Sequence, residues 1–267
     1  DFDAQRSVQI INPLSKELNV MRQTLLYCGM EVIVRNINYR ILDQKIYEFG
    51  RIYQLNPDYN EEQTDVTKKY AEKQRLAIFM TGKQTSESWK TKSEETDFYY
   101  LKSHVMNILR RMRVNMGRLQ IVPAEEKYYA EGIALQYRDS KKTLVRMGTL
   151  SRETLKRMDC KQAVQYAEID WDLILKNYPT NEVLYNEIAK YPEVRRDLAL
   201  VIDKQVTFAE IEQVAYATEK KILKHVGLFD VYEGKNPHDD AADSLAQLAM
   251  FFETQRASVA HIIQSPF

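Results

Sequence analysis

Three strand-like segments follow one another in the middle of the chain, and no other feature constrains the fold as strongly. They lie at residues 118–122, 132–137 and 143–150, and a further strand is predicted at 163–170. Parallel strands need long crossover connections, usually helices, which this part of the chain largely lacks. Residues 1–175 are therefore predicted to form an antiparallel sheet with a few helices, an α+β pattern without β-α-β alternation.

Apolar spacing predicts further elements around this sheet. Thr96-Asp97 precedes apolar residues at helical spacing and predicts a capped helix. Helical spacing from Leu18 to Ile33 predicts an earlier helix, which Gly29 interrupts. Residues 46–53 alternate as a strand with a bulge or bend at Gly50.

A strand, a helix and a second strand are predicted in the last third of the chain. Charged residues stand at the mouth of the apolar run Leu198–Ile202, and Thr207 with Glu210 forms a capping box for the helix that follows. Three lysines are predicted near the C-terminus of this helix, where the helix dipole favours cations: Lys220, Lys221 and Lys224. Residues 227–234 complete the opening of a ferredoxin-like β-α-β-β-α-β unit.

Composition narrows the class of protein. Lys+Arg and Asp+Glu both number 38, so nucleic-acid binding would depend on local basic patches. The only two cysteines, Cys28 and Cys160, favour a reducing compartment without a disulfide framework. No apolar run approaches the length that a membrane-spanning helix requires.

Sequence motifs predict no catalytic site and no metal site. Neither phosphate-binding glycine motif occurs, and the whole chain has eight glycines. His238 near Asp239, Asp240 and Asp243 is interpreted as a solvated turn or tail rather than a metal site, and His104 as a partly buried helix residue rather than a base. The residues alone indicate a non-catalytic binding or assembly protein.

Five segments carry a resemblance to a known family. "IINPLSKELNVMRQTLL", "KIYEFGRIY" and "DFYYLKSHVMNIL" resemble the noncatalytic synthetase-like module of the bacterial phenylalanyl-tRNA synthetase beta subunit. "YPEVRRDLALVID" and "FDVYEGKN" resemble the C-terminal ferredoxin-fold anticodon-binding domain of the same subunit. The segments occur in the family's order, across two domains.

The resemblance implies a class II synthetase-like antiparallel sheet with helices, followed by a smaller ferredoxin-like domain. The expected domains are 1–178 for the noncatalytic module and 187–267 for the anticodon-binding domain. The module is expected to lack an active site, because Arg22 is predicted on a helix and no glycine-rich strand carries an arginine. The isolated chain is therefore expected not to activate phenylalanine.

The resemblance also implies partners and cofactors. Catalysis belongs to the alpha subunit, on which the beta module packs in a heterotetramer, and tRNA is the second expected partner. ATP and Mg are expected for the complete enzyme and no cofactor for this chain. The expected location is cytoplasmic, with no membrane partner.

The tail after Asn236 departs from the family pattern. Residues 244–252, "SLAQLAMFF", are expected to supply the third strand of the ferredoxin-like domain, and "ASVAHIIQ" part of its second helix. The last strand of the fold is not recognisable in the sequence.

Eight residues are candidate RNA contacts by this resemblance: Arg195, Arg196, Asp197, Lys220, Lys221, Lys224, Phe229 and Tyr232. The basic residues would meet RNA phosphates, Asp197 would position an arginine, and the aromatic rings would stack on bases. Alternation along a strand places Phe229 and Tyr232 on different faces. Solvated charges at the ends of secondary structure are the alternative interpretation.

Three hypotheses about function follow, one of which is an enzyme with an unrecognised site. The first is a part of the beta subunit of phenylalanine-tRNA ligase that supports attachment of phenylalanine to its tRNA. The alternative is a free-standing, non-enzymatic RNA-binding or assembly module derived from that subunit. A long reading frame upstream of this sequence would favour the first.

Overall fold

A six-stranded antiparallel sheet forms the first of two units in the computed structural model, which span residues 1–181 and 182–267. The strand order is β1-β2-β6-β5-β4-β3. The strands are β1 (Gln44–Leu55), β2 (Tyr70–Thr81), β3 (Leu119–Pro123), β4 (Tyr129–Tyr137), β5 (Thr143–Leu150) and β6 (Val164–Asp170). The structure describes residues 4–15, 18–57, 59, 65–90, 92–179, 192–203, 205–233 and 245–255, with side chains as far as Leu228.

Four helices accompany this sheet, and the two longer ones cover its opposite faces. They are α1 (Leu26–Asn38), α2 (Phe98–Arg111), α3 (Arg152–Arg157) and α4 (Trp171–Lys176). Helix α2 begins after the predicted cap Asp97, whose carboxylate accepts the Tyr100 amide at 2.7 Å. Its buried residues Leu101, Val105 and Leu109 pack on one face of the sheet. Met30 and Ile33 of α1 pack on the other face.

Gly29 lies inside α1 and does not interrupt it. A Cβ atom at this position would collide with the ring of Phe79, so the absence of a side chain lets the helix approach the sheet closely. The packing against Phe79 therefore offsets the low helix propensity of glycine.

The predicted start of the first helix is wrong. Helix α1 begins at Leu26, and the earlier segment folds back as a short bridge in which the Ile10 amide donates to the Asn19 carbonyl at 2.8 Å. Leu18 is 62% exposed, so its helical spacing to later apolar residues is not a buried face. The predicted bulge at Gly50 is also wrong, because the pairing of β1 with β2 runs without a shift.

The described residues of the second unit form a three-stranded sheet and one helix. Strand β7 (Glu193–Asp203) and strand β8 (Leu223–Glu233) each pair antiparallel with β9 (Leu245–Gln255), which lies between them. The predicted third strand is thus present. Helix α5 (Phe208–Thr218) starts with the predicted capping box of Thr207 and Glu210.

Strand β7, helix α5 and strand β8 form a split β-α-β arrangement, because β7 and β8 run in the same direction on either side of β9. The predicted fold class, an α+β antiparallel sheet followed by a ferredoxin-like unit, is confirmed. The expected second helix and His238 lie outside the described residues. No helix among the described residues is long and apolar enough to cross a membrane.

Candidate functional site

The arginine pair of the second unit lies near the start of β7 on an exposed surface. The Arg195 side chain donates from Nε to Asp197 Oδ1 at 3.3 Å, and the two side chains are 57% and 63% exposed. An ion pair this exposed contributes at most about 1 kcal/mol, so it leaves the guanidinium accessible to another anion.

Strand register brings Arg195 to the same level as the start of β8. Arg195 and His225 are both paired with Glu253 of the intervening strand β9. Strands β7 and β8 are therefore separated by two strand spacings, about 10 Å. One end of this sheet carries both the arginines and the residues that lead into β8.

The three lysines are not on the helix, contrary to the prediction. Helix α5 ends at Thr218, Lys220 and Lys221 lie in the following turn, and Lys224 lies in β8. The Glu219 carboxylate holds this turn by accepting the amides of Lys221 at 2.8 Å and Ile222 at 3.0 Å. These backbone hydrogen bonds lower the pKa of Glu219. The lysines are exposed and lie at the same sheet end as Arg195. We call this group the basic end; it consists of Arg195, Arg196, Lys220, Lys221 and Lys224.

The two aromatic candidates are in β8, and their side chains lie outside the described part of the chain. Phe229 falls within the register shift between Leu228 and Asp230, and Tyr232 is opposite Gln247. The predicted alternation of their faces assumes an uninterrupted strand, and this shift breaks that assumption.

Aromatic side chains fill the face of the first unit's sheet that α1 covers. Tyr166 and Phe79 are at most 1% exposed, and their ring centroids lie 4.8 Å apart. Tyr128 and Tyr129 extend the same cluster. Burial raises the pKa of Tyr166 well above its ordinary value, and its hydroxyl donates to Glu168 Oε2 at 2.6 Å.

Buried charges continue this face beyond the aromatic cluster. Arg75 pairs with Asp170, and its Nε lies 3.7 Å from Glu168 Oε1, with all three side chains 10–13% exposed. Arg22, predicted on a helix, lies before α1 and donates to Glu48 Oε1 at 2.7 Å and to the Arg51 carbonyl at 2.9 Å. The Arg22 and Arg75 side chains are thus both engaged with carboxylates.

The opposite face is open and apolar beside the edge strand β1. Tyr47 and Phe49 are 71% and 55% exposed there, and Phe49 packs edge-on against Trp171 with ring centroids 4.8 Å apart. With buried residues of β2 and partly exposed residues of α2 they line a groove of about 500 Å³, which we call the β1 groove. Sequence reasoning missed it, although the strongly apolar outward positions of β1 were a usable signal.

His104 and Cys160 lie in surroundings that suit a structural role. His104 stacks edge-on against Tyr100 within α2, and Cys160 is buried, which raises its pKa. Among the described residues no group of three His, Cys, Asp or Glu side chains is placed to hold a metal.

The fold and these surfaces define the class of protein. Its first unit is an antiparallel-sheet module whose α1 face is packed with side chains, and its second is a ferredoxin-fold unit with a basic end. Residues 1–171 match the family model described as phenylalanyl tRNA synthetase beta chain CLM domain, and residues 189–258 match the ferredoxin-fold anticodon binding domain. The chain belongs to the phenylalanyl-tRNA synthetase beta chain family.

Curated relatives agree with this assignment. The phenylalanine–tRNA ligase beta subunit of Bacteroides fragilis is 40% identical over 235 residues, which are 88% of this chain and 28% of the relative. That of Porphyromonas gingivalis is 38% identical over 232 residues, 87% of this chain and 28% of the relative. The chain thus spans just over a quarter of the length of these relatives.

Solved structures of lower similarity include a pyrrolysyl-tRNA synthetase from Desulfitobacterium hafniense. It aligns with a TM-score of 0.43 and 12% identity over 64% of this chain and 52% of that structure.

Proposed function

We propose that the chain is part of the beta subunit of phenylalanine-tRNA ligase, where it supports ATP-dependent attachment of phenylalanine to tRNA. Its first unit would pack on the catalytic alpha subunit and its second unit would bind the anticodon region of tRNA. The observation that carries the proposal is the joint presence of both family matches, in order, on one chain.

The basic end is the proposed tRNA contact. Arg195 and Arg196 share one end of the sheet with the three lysines, although the two groups are about 30 residues apart in sequence. Exposed cations gathered at one sheet end can neutralise phosphates of a nucleic-acid backbone, which releases counterions. Asp197 would orient Arg195, and Phe229 and Tyr232 would stack on splayed bases.

The β1 groove is the proposed contact with the alpha subunit. Exposed aromatic residues such as Tyr47 and Phe49 are typical of the buried centre of a protein interface. An exposed apolar groove of this kind favours a partner protein over solvent.

ATP and Mg are proposed to act in the complete enzyme without binding this chain. Tyr166 and Phe79 fill the sheet face beneath α1, so no room for a nucleotide remains between this helix and the sheet. A cytoplasmic location follows from the proposed role in charging tRNA.

The salt dependence of tRNA binding tests the proposed interface. Replacing Arg195 and Arg196 with Ala in the assembled enzyme should weaken tRNA binding. It should also flatten the log–log salt slope by about 0.7 for each phosphate that is no longer neutralised, the value for single strands. The matched control replaces Arg152 and Arg157 with Ala, two exposed arginines of α3 in the first unit. Unchanged affinity and slope in a folded Arg195/Arg196 variant would leave these arginines as solvated surface charges.

A further inference from the structure

A cavity of about 360 Å³ lies at the charged end of the first unit's sheet, and its lining shares no residue with the basic end or the β1 groove. Three strands and α4 contribute this lining, which includes Lys73, Arg75, Lys142, Arg146, Asp170 and Asp172. Its size is at the lower end of the range of about 300–1,000 Å³ for small-molecule sites.

The carboxylates of this cavity are already engaged by the protein itself. Asp170 pairs with Arg75 and accepts the Leu173 amide at 3.0 Å, while Asp172 accepts the Gln74 amide at 2.8 Å. Arg146 is paired with Glu126, which lies outside the lining.

The lysines of the cavity differ from the arginines. In the part of the chain that the structure describes, no ion pair includes Lys73 or Lys142. Both are exposed at the cavity rim. Desolvation and the nearby Arg75 guanidinium lower the pKa of Lys73, while Asp170 opposes this shift. Arg75 and Arg146 thus have carboxylate partners, whereas Lys73 and Lys142 form no ion pair among the described residues.

We propose that this cavity binds a small phosphate-bearing anion between Lys73 and Lys142, over the Arg75 and Arg146 side chains. A phosphate monoester presents several acceptor oxygens, and ammonium and guanidinium groups bind such oxygens by charge-assisted hydrogen bonds. Asp170 and Asp172 already accept backbone amides, and the two rim lysines would repel a cation. The site is independent of the proposed tRNA and alpha-subunit contacts.

Calorimetric titration of the full chain tests the site, with inorganic phosphate in one arm and adenosine monophosphate in the other, at matched ionic strength. Saturable binding is expected in at least one arm. Tighter binding of the nucleotide would identify a nucleotide phosphate as the ligand, and equal or tighter binding of the inorganic ion would identify free phosphate.

The Lys73→Gln/Lys142→Gln variant should bind at least about tenfold more weakly, a change of about 1.4 kcal/mol. The Lys156→Gln/Lys161→Gln variant, which removes two exposed lysines elsewhere on the same unit, should bind like the original chain. Each single cavity variant is measured as well, so that a folding failure of the double variant does not end the test. No saturable binding in either arm, or equal affinity in the folded cavity variants, would overturn the proposal.

Discussion

Gly29 shows how one residue decides how closely a helix approaches a sheet. Its Cα faces the Phe79 ring without room for a methyl group. In the Gly29→Ala variant, overpacking should cost about 1–3 kcal/mol, against a gain of about 1 kcal/mol in helix propensity. We expect a net decrease of up to about 2 kcal/mol in the free energy of unfolding, measured with urea.

Gly117→Ala is the matched control for this prediction. Its nearest neighbour would be the Asn115 side chain at 3.3 Å, so a change within about 0.5 kcal/mol is expected. Equal stability of the two variants would show that Phe79 yields to the added methyl group.

Arg75 is a largely buried cation of the first unit that faces two carboxylates. Removing it in Arg75→Ala leaves Glu168 and Asp170 buried without their cation, which should cost about 3–5 kcal/mol of unfolding free energy. Arg118→Ala breaks a pair with Asp139 whose side chains are 53% and 55% exposed, and should cost at most about 1 kcal/mol. Urea unfolding of both variants would contradict this account if the two decreases in stability were similar.

At the scale of elements, the capping box of α5 predicts a pH dependence. Hydrogen bonds from the Thr207 amide and hydroxyl lower the pKa of Glu210. A carboxylate with a lowered folded-state pKa stabilises the fold above its unfolded-state pKa, and this contribution disappears as the pH falls through the lowered value. The stability difference between the original chain and Glu210→Ala should therefore shrink in acid.

Thermal unfolding across the acidic range measures this difference. Glu212→Ala, in the next turn of the same helix, controls for a general reduction of acidic charge. A difference that stays constant as the carboxylate is protonated would contradict the assigned role of Glu210.

Several elements could be predicted from the sequence because their burial produces a clear period. Helix α2 buries residues at helical spacing, strand β2 buries a continuous apolar run on both faces of the sheet, and Asp97 and Thr207 mark helix starts by their own chemistry. The start of α1 could not be predicted, since Leu18 has an apolar side chain at helical spacing but is exposed. Spacing reports a possible buried face, and only tertiary packing decides whether it is buried.

The candidate site could also be predicted in part from the sequence. The direction of a β-α-β unit places Arg195 and the lysines at one end, but the turn held by Glu219 ends α5 before the lysines. The cavity around Lys73 and Arg146 could not be predicted, because strand register brings together residues that are about 70 positions apart in sequence.

At the scale of the whole molecule, the two units carry surfaces of opposite character. The first has an apolar β1 groove and a filled α1 face, while the second has an exposed basic end. This division fits the proposed role, in which the chain contributes binding surfaces and the chemistry takes place in another subunit.

Co-purification with a phenylalanyl-tRNA synthetase alpha subunit tests this account most directly. The chain and an alpha subunit, expressed together, should elute as one complex in size-exclusion chromatography. Tyr47→Ser/Phe49→Ser should weaken the complex, while Val66→Ser, which removes an exposed apolar side chain outside the groove, should not. Separate elution of the folded original chain and the alpha subunit would contradict the account.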